Sequence, residues 1–427
     1  MVELERSLSL WQITLMSIGV ILGAGIYVVI GEAAGLAGNM VWFSFVLAAV
    51  VASFTGLSYV ELASRFPTAA AEYTYVEQSF GKRLAWVTGW MIIAGSIIGS
   101  ATVALGFARY LSAIINTPVI TTAFIALLII GFVLFLGVQE TASVTILFTL
   151  IEAAGLIIVI FIGLPSLGSV DYTQMAEGIK GLLQAGVLIF FGYIGFEGIT
   201  RLANETKQPE KTIPKAILIS LVITTILYIL VGLVAVSVVP WSDLAASKAP
   251  LALVAQQVFG ERSFLALSVI ALFSTFNTSL AMLLSGSRIV YGMAEQHGLP
   301  HIFTKVNSKT KSPWVAIIGV VLASLLFLFI GDVATVANLT NFTIFVVFII
   351  VNATVIYFRY KKPIDTGFKT PGSIGKLPIL PVLGIVTTLF LLFNVSIQIL
   401  IMGTILLVLG FILFHFLSTS EMFKQQN

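Results

Sequence analysis

Two short runs of glycine stand where an apolar helix would need to stay wound. Gly19-Val20-Ile21-Leu22-Gly23-Ala24-Gly25-Ile26 falls in the middle of the first long apolar run, and Phe190-Phe191-Gly192-Tyr193-Ile194-Gly195-Phe196-Glu197 in the middle of the sixth. A helix in lipid hides its backbone polar groups, so a place where the sequence invites unwinding is a place where a ligand can reach them. Past the first break, the amides of Ala24, Gly25 and Ile26 begin a new half-helix whose positive end favours an anion such as a carboxylate. The carbonyls ending the preceding half-helices, around Ile21, Phe191 and Ile194, are acceptors for an ammonium group. Together the two features suit an α-amino acid. Glycines four apart also let helices pack closely, which is the reading for Gly95 and Gly99. The two breaks differ from these because they fall at matching points of two halves, the sequence pointer to a site near the bilayer midplane.

Ionisable and polar residues inside the runs are the second lead. Glu152, in Thr149-Leu150-Ile151-Glu152-Ala153-Ala154-Gly155, sits near the middle of the fifth run with no basic residue close in sequence. A carboxyl there is costly without a task or a partner, so it reads as a proton carrier, with a hydrogen-bonded structural glutamate as the plainer alternative. Glu197 follows the second break and either links a charge to the site or caps a half-helix. Asn277, in Ser274-Thr275-Phe276-Asn277-Thr278, is polar at mid-membrane depth, as a ligand or as interhelical glue. Glu61, Glu72, Glu140 and Arg288 lie near run ends, where snorkelling to water is expected. Without cysteine there is no disulfide, thiolate or sulfur-ligated metal. His297, His301 and His415 are too scattered for a metal cluster, and Pro300 makes the first two a loop pair. No spacing suggests a nucleophile, an acid pair or a metal site, so neither catalysis nor a bound cofactor is expected.

The elements that carry these residues follow from composition. Of 427 residues, 58% are hydrophobic and only 10% charged, too few charges to cover a soluble globule and enough apolar residues for about twelve spans of roughly 20. A net charge of +3 gives no reason to expect nucleic acid as a partner. Twelve runs can be marked, at 10–36, 40–66, 84–114, 119–138, 142–165, 181–202, 214–239, 263–292, 314–331, 333–358, 377–395 and 397–417. The first is too long and too glycine-interrupted for a secretory signal. An even number puts both termini on one face. Eighteen of the 22 Lys and Arg residues fall on that face, and four, Arg109, Lys180, Lys248 and Arg262, on the other, which places both termini in the cytoplasm. Matching breaks in runs one and six predict an inverted repeat of five plus five helices. The expectation is an all-α integral membrane protein, a single domain over 1–427, with the first repeat at 8–165 and the second at 179–360. A segment at 376–418 holds two more helices.

These residues resemble the amino acid/polyamine/organocation (APC) superfamily of transporters, over nearly the whole chain. The most specific stretch is FFGYIGFEGITRLANETKQPEKTIPKAI at 190–217, a glycine-broken sixth helix followed by the family's cytoplasmic signature, in which Glu205, Gln208, Pro209 and Pro214 stand and Gln208 replaces the usual asparagine. GVILGAGIY at 19–27, FPTAAAEYTYVEQSFG at 66–81 and SGSRIVYGMAEQHGLP at 285–300 are similar too. The resemblance implies a LeuT-like 5+5 inverted repeat plus two C-terminal helices, twelve transmembrane helices in all, with helices 1 and 6 broken, working by alternating access. It assigns Ile21, Gly23, Ala24 and Gly25 to the helix-one binding turn, Phe191 and Ile194 to the aromatic gate and carbonyl pair, and Ser100 and Val103 to the substrate side chain. Three departures stand out. Ala24 replaces a frequent serine. Ala69-Ala70-Ala71-Glu72 replaces a glycine-rich turn. Glu152 occupies the place where several members carry a lysine that fills a sodium site. Glu152 then either takes the proton itself or restores a cation site with carbonyls of helix one and hydroxyls such as Ser274 or Ser285. The resemblance implies a cell-membrane permease that moves amino acids. Proton symport of a neutral amino acid leads, with sodium symport and exchange as alternatives, H+ or Na+ as the coupling ion, and no obligate protein partner. A membrane sensor that binds without transporting is the reading from another class. With about nine residues before span one and ten after span twelve, it is expected to lack a module to signal through.

Overall fold

An apolar run in lipid must satisfy its amides internally, and winding into a helix does so within the segment. In the computed structural model, which describes residues 6–329, 333–362 and 367–419, nearly every apolar run is helical. The order is α1 (Leu10–Tyr27), α2 (Ile30–Ala37), α3 (Val41–Arg65), α4 (Ala71–Phe80), α5 (Lys82–Ile115), α6 (Val119–Leu136), α7 (Val138–Gly163) and α8 (Gly178–Phe190). It continues with α9 (Pro209–Val238), α10 (Trp241–Ala246), α11 (Pro250–Phe259), α12 (Glu261–Glu295), α13 (Trp314–Phe327), α14 (Val333–Lys361), α15 (Ile379–Phe393) and α16 (Ile397–Thr419). A two-stranded hairpin, β1 (Ser373–Ile374) and β2 (Leu377–Pro378), precedes α15. Boundaries follow local chemistry. Pro209 opens α9, where a missing amide costs nothing. Gly137, at φ 129°, makes the corner between α6 and α7 that a side chain would strain.

Among the described residues, ten helical stretches are long and apolar enough to cross a bilayer. The ninth and eleventh predicted runs give shorter apolar helices, α13 with 14 residues and α15 with 15, each about 21–23 Å at 1.5 Å per residue. Residues 330 and 331, at the end of the ninth predicted run, and Lys424, counted in the charge asymmetry, lie outside the described residues. The chain is an all-α membrane protein. Phe132, Phe161, Phe393 and Phe416 stand exposed on the outside of the bundle, where a hydrocarbon solvent would cover them. α1 is interior, packed on α7, α9 and α12, while α5 packs on α12 and α14.

Both glycine runs depart from the helix. Gly23, inside α1, has φ −55° and ψ −112°, and the first run resumes as α2 after a turn at residues 28–29. In the sixth run α8 ends at Phe190, and one 3₁₀ turn covers Phe191–Tyr193. Ile194 is then extended (ψ 134°) and Gly195 takes φ 128°. The chain resumes as a 3₁₀ helix over Gly198–Glu205, eight residues long. Runs of 3₁₀ beyond three or four residues are uncommon and mark hinges or strain. Gly95 and Gly99 serve packing, as expected. A Cβ on Gly99 would sit 2.9 Å from Met282 Sδ, and one on Gly95 2.5 Å from Thr343 Oγ1.

The snorkelling expectation fails for three residues. Glu61, Glu72 and Arg288 are fully buried because each has an ionic partner from another segment. Glu61 accepts from Arg359 at 2.9 and 2.7 Å and forms an ion pair with Arg65 at 2.7 Å. Glu140 is exposed, as expected.

Candidate functional site

The two breaks meet. A Cβ on Gly25 would overlap the Cα of Gly192, and one on Gly195 would overlap the Val20 side chain. Gly23 lies against Thr278 Oγ1 and the Ser274 carbonyl. Close contact therefore requires glycine at these positions, and at Gly195 the positive φ favours it as well. The Ile21 carbonyl, expected as a free acceptor, is occupied by the Tyr228 hydroxyl from α9, which also reaches the Gly192 carbonyl at 3.0 Å. One hydroxyl thus bridges the carbonyl ends of both breaks. The Phe191 carbonyl accepts from the Ile194 amide at 3.4 Å. The Tyr228 ring is wedged between Phe45 and Tyr193. Sequence reading missed this residue. Its signal was a single tyrosine in the aliphatic run Ile226-Leu227-Tyr228-Ile229-Leu230, since a buried phenol needs a partner. The side chain of Ala24 lies outside the described residues.

Beside the first break sits Glu152, fully buried on α7. Asn277 on α12 donates to Glu152 Oε1 at 3.1 Å and to Thr149 Oγ1 at 3.2 Å. Gly19 on α1 faces the same group, and its Cβ position is 3.0 Å from Oε1. Glu152 Oε2, the Ser274 hydroxyl and Asn277 Oδ1 have no hydrogen-bond partner among the described residues, and Ser274 faces the carboxyl. No Lys or Arg pairs with Glu152 among the described residues. The carboxyl therefore stands in the interior with an open oxygen and no compensating charge, a state that a proton or a small cation would relieve. Asn277 is placed as an orienting donor to Glu152. Ser285 is not in this group: its hydroxyl accepts from Arg201, eleven residues along α12 from Ser274, about 16 Å away.

A cavity opens on the side of the breaks toward the N-terminal end of the bundle. It is walled by Met16 and Val20 of α1, Gly95 and Ser96 of α5, Met282 and Ser285 of α12, and Thr340 and Ile344 of α14, with Ile194, Glu197 and Arg201 from the second break. Of the residues expected at the site, Ile194 and Glu197 line it. Ser100 and Val103 lie about one and two turns farther along α5, both buried, and Ser100 is hydrogen-bonded to Ser279 at 2.8 Å. Glu197 Oε2 accepts the Gly195 amide at 2.9 Å, two residues back in the break, and its side chain does not cap the 3₁₀ helix that follows.

Beneath the cavity two buried ion pairs hold the 3₁₀ segment. Arg201 donates to Glu72 of α4 at 3.0 and 2.6 Å, Tyr59 donates to the same carboxylate at 3.1 Å, and Arg201 also donates to Ser285. Arg288 donates to Glu205 at 3.2 and 2.8 Å. Leu8 bridges Thr206 at the end of the segment. Glu72, expected at water, thus anchors Arg201, which lines that end of the cavity.

The two glycine breaks are in contact, with a buried carboxyl beside one and a cavity beside the other. Comparison with known proteins gives the family. The amino acid permease family matches residues 8–420. A branched-chain amino acid permease of Bacillus subtilis is 29% identical, covering 97% of this chain and 94% of its own. A methylthioribose transporter of the same organism is 26% identical over 89% and 86%. A vacuolar cationic amino acid transporter of Arabidopsis thaliana is 27% identical over 84% and 64%. The chain belongs to the amino acid permease family and is a transport protein, not an enzyme.

Proposed function

We propose that the chain is a secondary active transporter of a neutral amino acid, working by alternating access and coupled to protons. In this reading twelve helices span the cell membrane as a five-plus-five inverted repeat with two more behind it, and both termini are cytoplasmic. The substrate carboxylate meets the amides that follow Gly23, and its ammonium meets the Ile194 carbonyl, since Tyr228 engages those of Ile21 and Gly192. Ser96, Met282, Thr340 and Ile344 hold the side chain. A neutral side chain is favoured because the charges at the cavity wall are already engaged, Glu197 by Gly195 and Arg201 by Glu72. The branched-chain permease among the relatives points the same way.

The observation that carries the coupling is Glu152, buried against the first break with one oxygen open and no cationic partner among the described residues. A proton arriving with substrate would neutralise it, and loss of that proton on the other face would return the carrier. The same oxygens, with Ser274 and the Val20 carbonyl that faces Thr278, favour a second reading in which a small hard cation fills the place. The test is uptake of each of the twenty tritiated L-amino acids into proteoliposomes. An inward proton gradient, an inward sodium gradient and no gradient would be compared. Accumulation that needs the proton gradient alone supports symport with H+, and dependence on sodium transfers the coupling role to the cation. No entry of any amino acid, with reconstitution verified, refutes the transport reading.

A further inference from the structure

At the end of the bundle away from Leu8 lies a second cavity, a polar one. It encloses about 320 Å³ and is lined by Glu32 of α2, Arg109 and Tyr110 of α5, and Ser247 and Lys248 of the link between α10 and α11. Only four Lys or Arg residues fall on this face of the sequence, and two of them converge here with a carboxylate. The floor is continuous with the coupling site. Tyr110 donates to the Tyr27 carbonyl at 2.7 Å, and Tyr27 donates to the Glu152 carbonyl at 2.8 Å. Gly31 and Gly106 line the same cavity, and they let α2 approach α10 and α5 approach the turn before α2, since a Cβ on Gly31 would meet the Leu244 carbonyl at 2.5 Å and one on Gly106 the Val28 side chain at 3.0 Å.

We propose that this cavity is an outer binding site for the zwitterionic head of an amino acid. Arg109 and Lys248 take the carboxylate, and Glu32 takes the ammonium. Both signs of charge around one small polar space match a zwitterion, whereas a simple anion would be repelled by Glu32 and a simple cation by the two bases. Arg109 is half-buried, which gives its guanidinium more weight than an exposed charge. The site loads substrate from the face that carries Arg109 and hands it inward past Tyr110.

This inference rests on the transport reading, and the experiment separates the two. Proteoliposomes of uniform orientation, established by protease accessibility, are loaded with the best-transported member of the twenty-amino-acid panel. Half-saturation is then measured separately at each face for the wild type, Arg109→Gln, Lys248→Gln and Arg109→Lys. The expected result is a rise of about three- to tenfold in half-saturation at the Arg109 face for the glutamine variants, the size of a partly solvated charge-assisted hydrogen bond. Half-saturation at the opposite face and the maximal rate stay unchanged, and Arg109→Lys recovers part of the loss. No change at the Arg109 face overturns the proposal. An equal rise at both faces also overturns it, because that places the effect in the central site or in folding. A wild type that moves no amino acid refutes the transport reading and this one with it.

Discussion

Replacing Glu72 by Gln removes one side of a pair that is wholly out of water. Arg201 keeps Ser285 but exchanges two carboxylate bonds of 3.0 and 2.6 Å for at most one to an amide oxygen, and its interior charge loses its hydrogen-bonded anion, with Glu197 left as the other acidic neighbour. Removing one partner of a buried pair costs about 3–5 kcal/mol. With an unfolding entropy of roughly 2.1 cal/mol/K per residue, the 427 residues give about 0.9 kcal/mol/K. The single variant therefore lowers the thermal midpoint by about 3–6 °C. The double variant Glu72→Gln/Arg201→Gln removes the stranded charge as well. It recovers about 2 kcal/mol, or roughly 2 °C, as coupling between contacting residues requires. The assay is thermal unfolding of detergent-purified protein followed by size-exclusion recovery, for the wild type, both singles and the double. A Glu72→Gln midpoint within 1 °C of the wild type, or a double variant as low as the sum of the singles, refutes the view that these two side chains compensate each other's burial.

Other consequences are more local. Gly25→Val drives a side chain into Gly192, and overpacking of this kind costs about 1–3 kcal/mol; uptake is lost while folded protein is still recovered by size exclusion. Tyr228→Phe leaves the Ile21 and Gly192 carbonyls without their shared donor, a loss of about 1–3 kcal/mol that lowers the thermal midpoint and slows uptake in proteoliposomes. Met282→Ala enlarges the cavity at a flexible wall, so competition assays show larger neutral side chains gaining relative to smaller ones. Asn277→Ala removes a donor from Glu152 and weakens gradient-driven accumulation more than exchange, measured in the same vesicles.

Several parts of this arrangement were legible in the sequence for physical reasons. Gly23 and Gly195 announced the breaks because they fall at matching points of two halves, unlike Gly95 and Gly99, which serve helix packing. Glu152 announced itself because an ionisable group in an apolar run demands an account. Tyr228 was harder to see, since its importance comes from reaching across to Ile21 from a helix more than two hundred residues later. Glu61, Glu72 and Arg288 were misread for a related reason. Proximity to a run end suggests water, but their partners Arg359, Arg201 and Glu205 come from other segments, and only the fold brings them within reach. Ser285 and Asn277 share α12, and only the register of that helix sends one to Arg201 and the other to Glu152. The cavity wall at Ser96, one turn short of Ser100, was likewise set by how α5 packs on α12 and α14 and carried no local mark.

The most direct test of the coupling role is Glu152→Gln, isosteric and unable to cycle a proton. Wild type and variant are reconstituted side by side. Accumulation of the transported amino acid is measured under an inward proton gradient, and exchange is measured against the same amino acid inside at equal pH. The expected result is that the variant keeps exchange within about twofold of the wild type and accumulates nothing above equilibrium. Accumulation by Glu152→Gln equal to that of the wild type would contradict the assignment of coupling to this carboxyl.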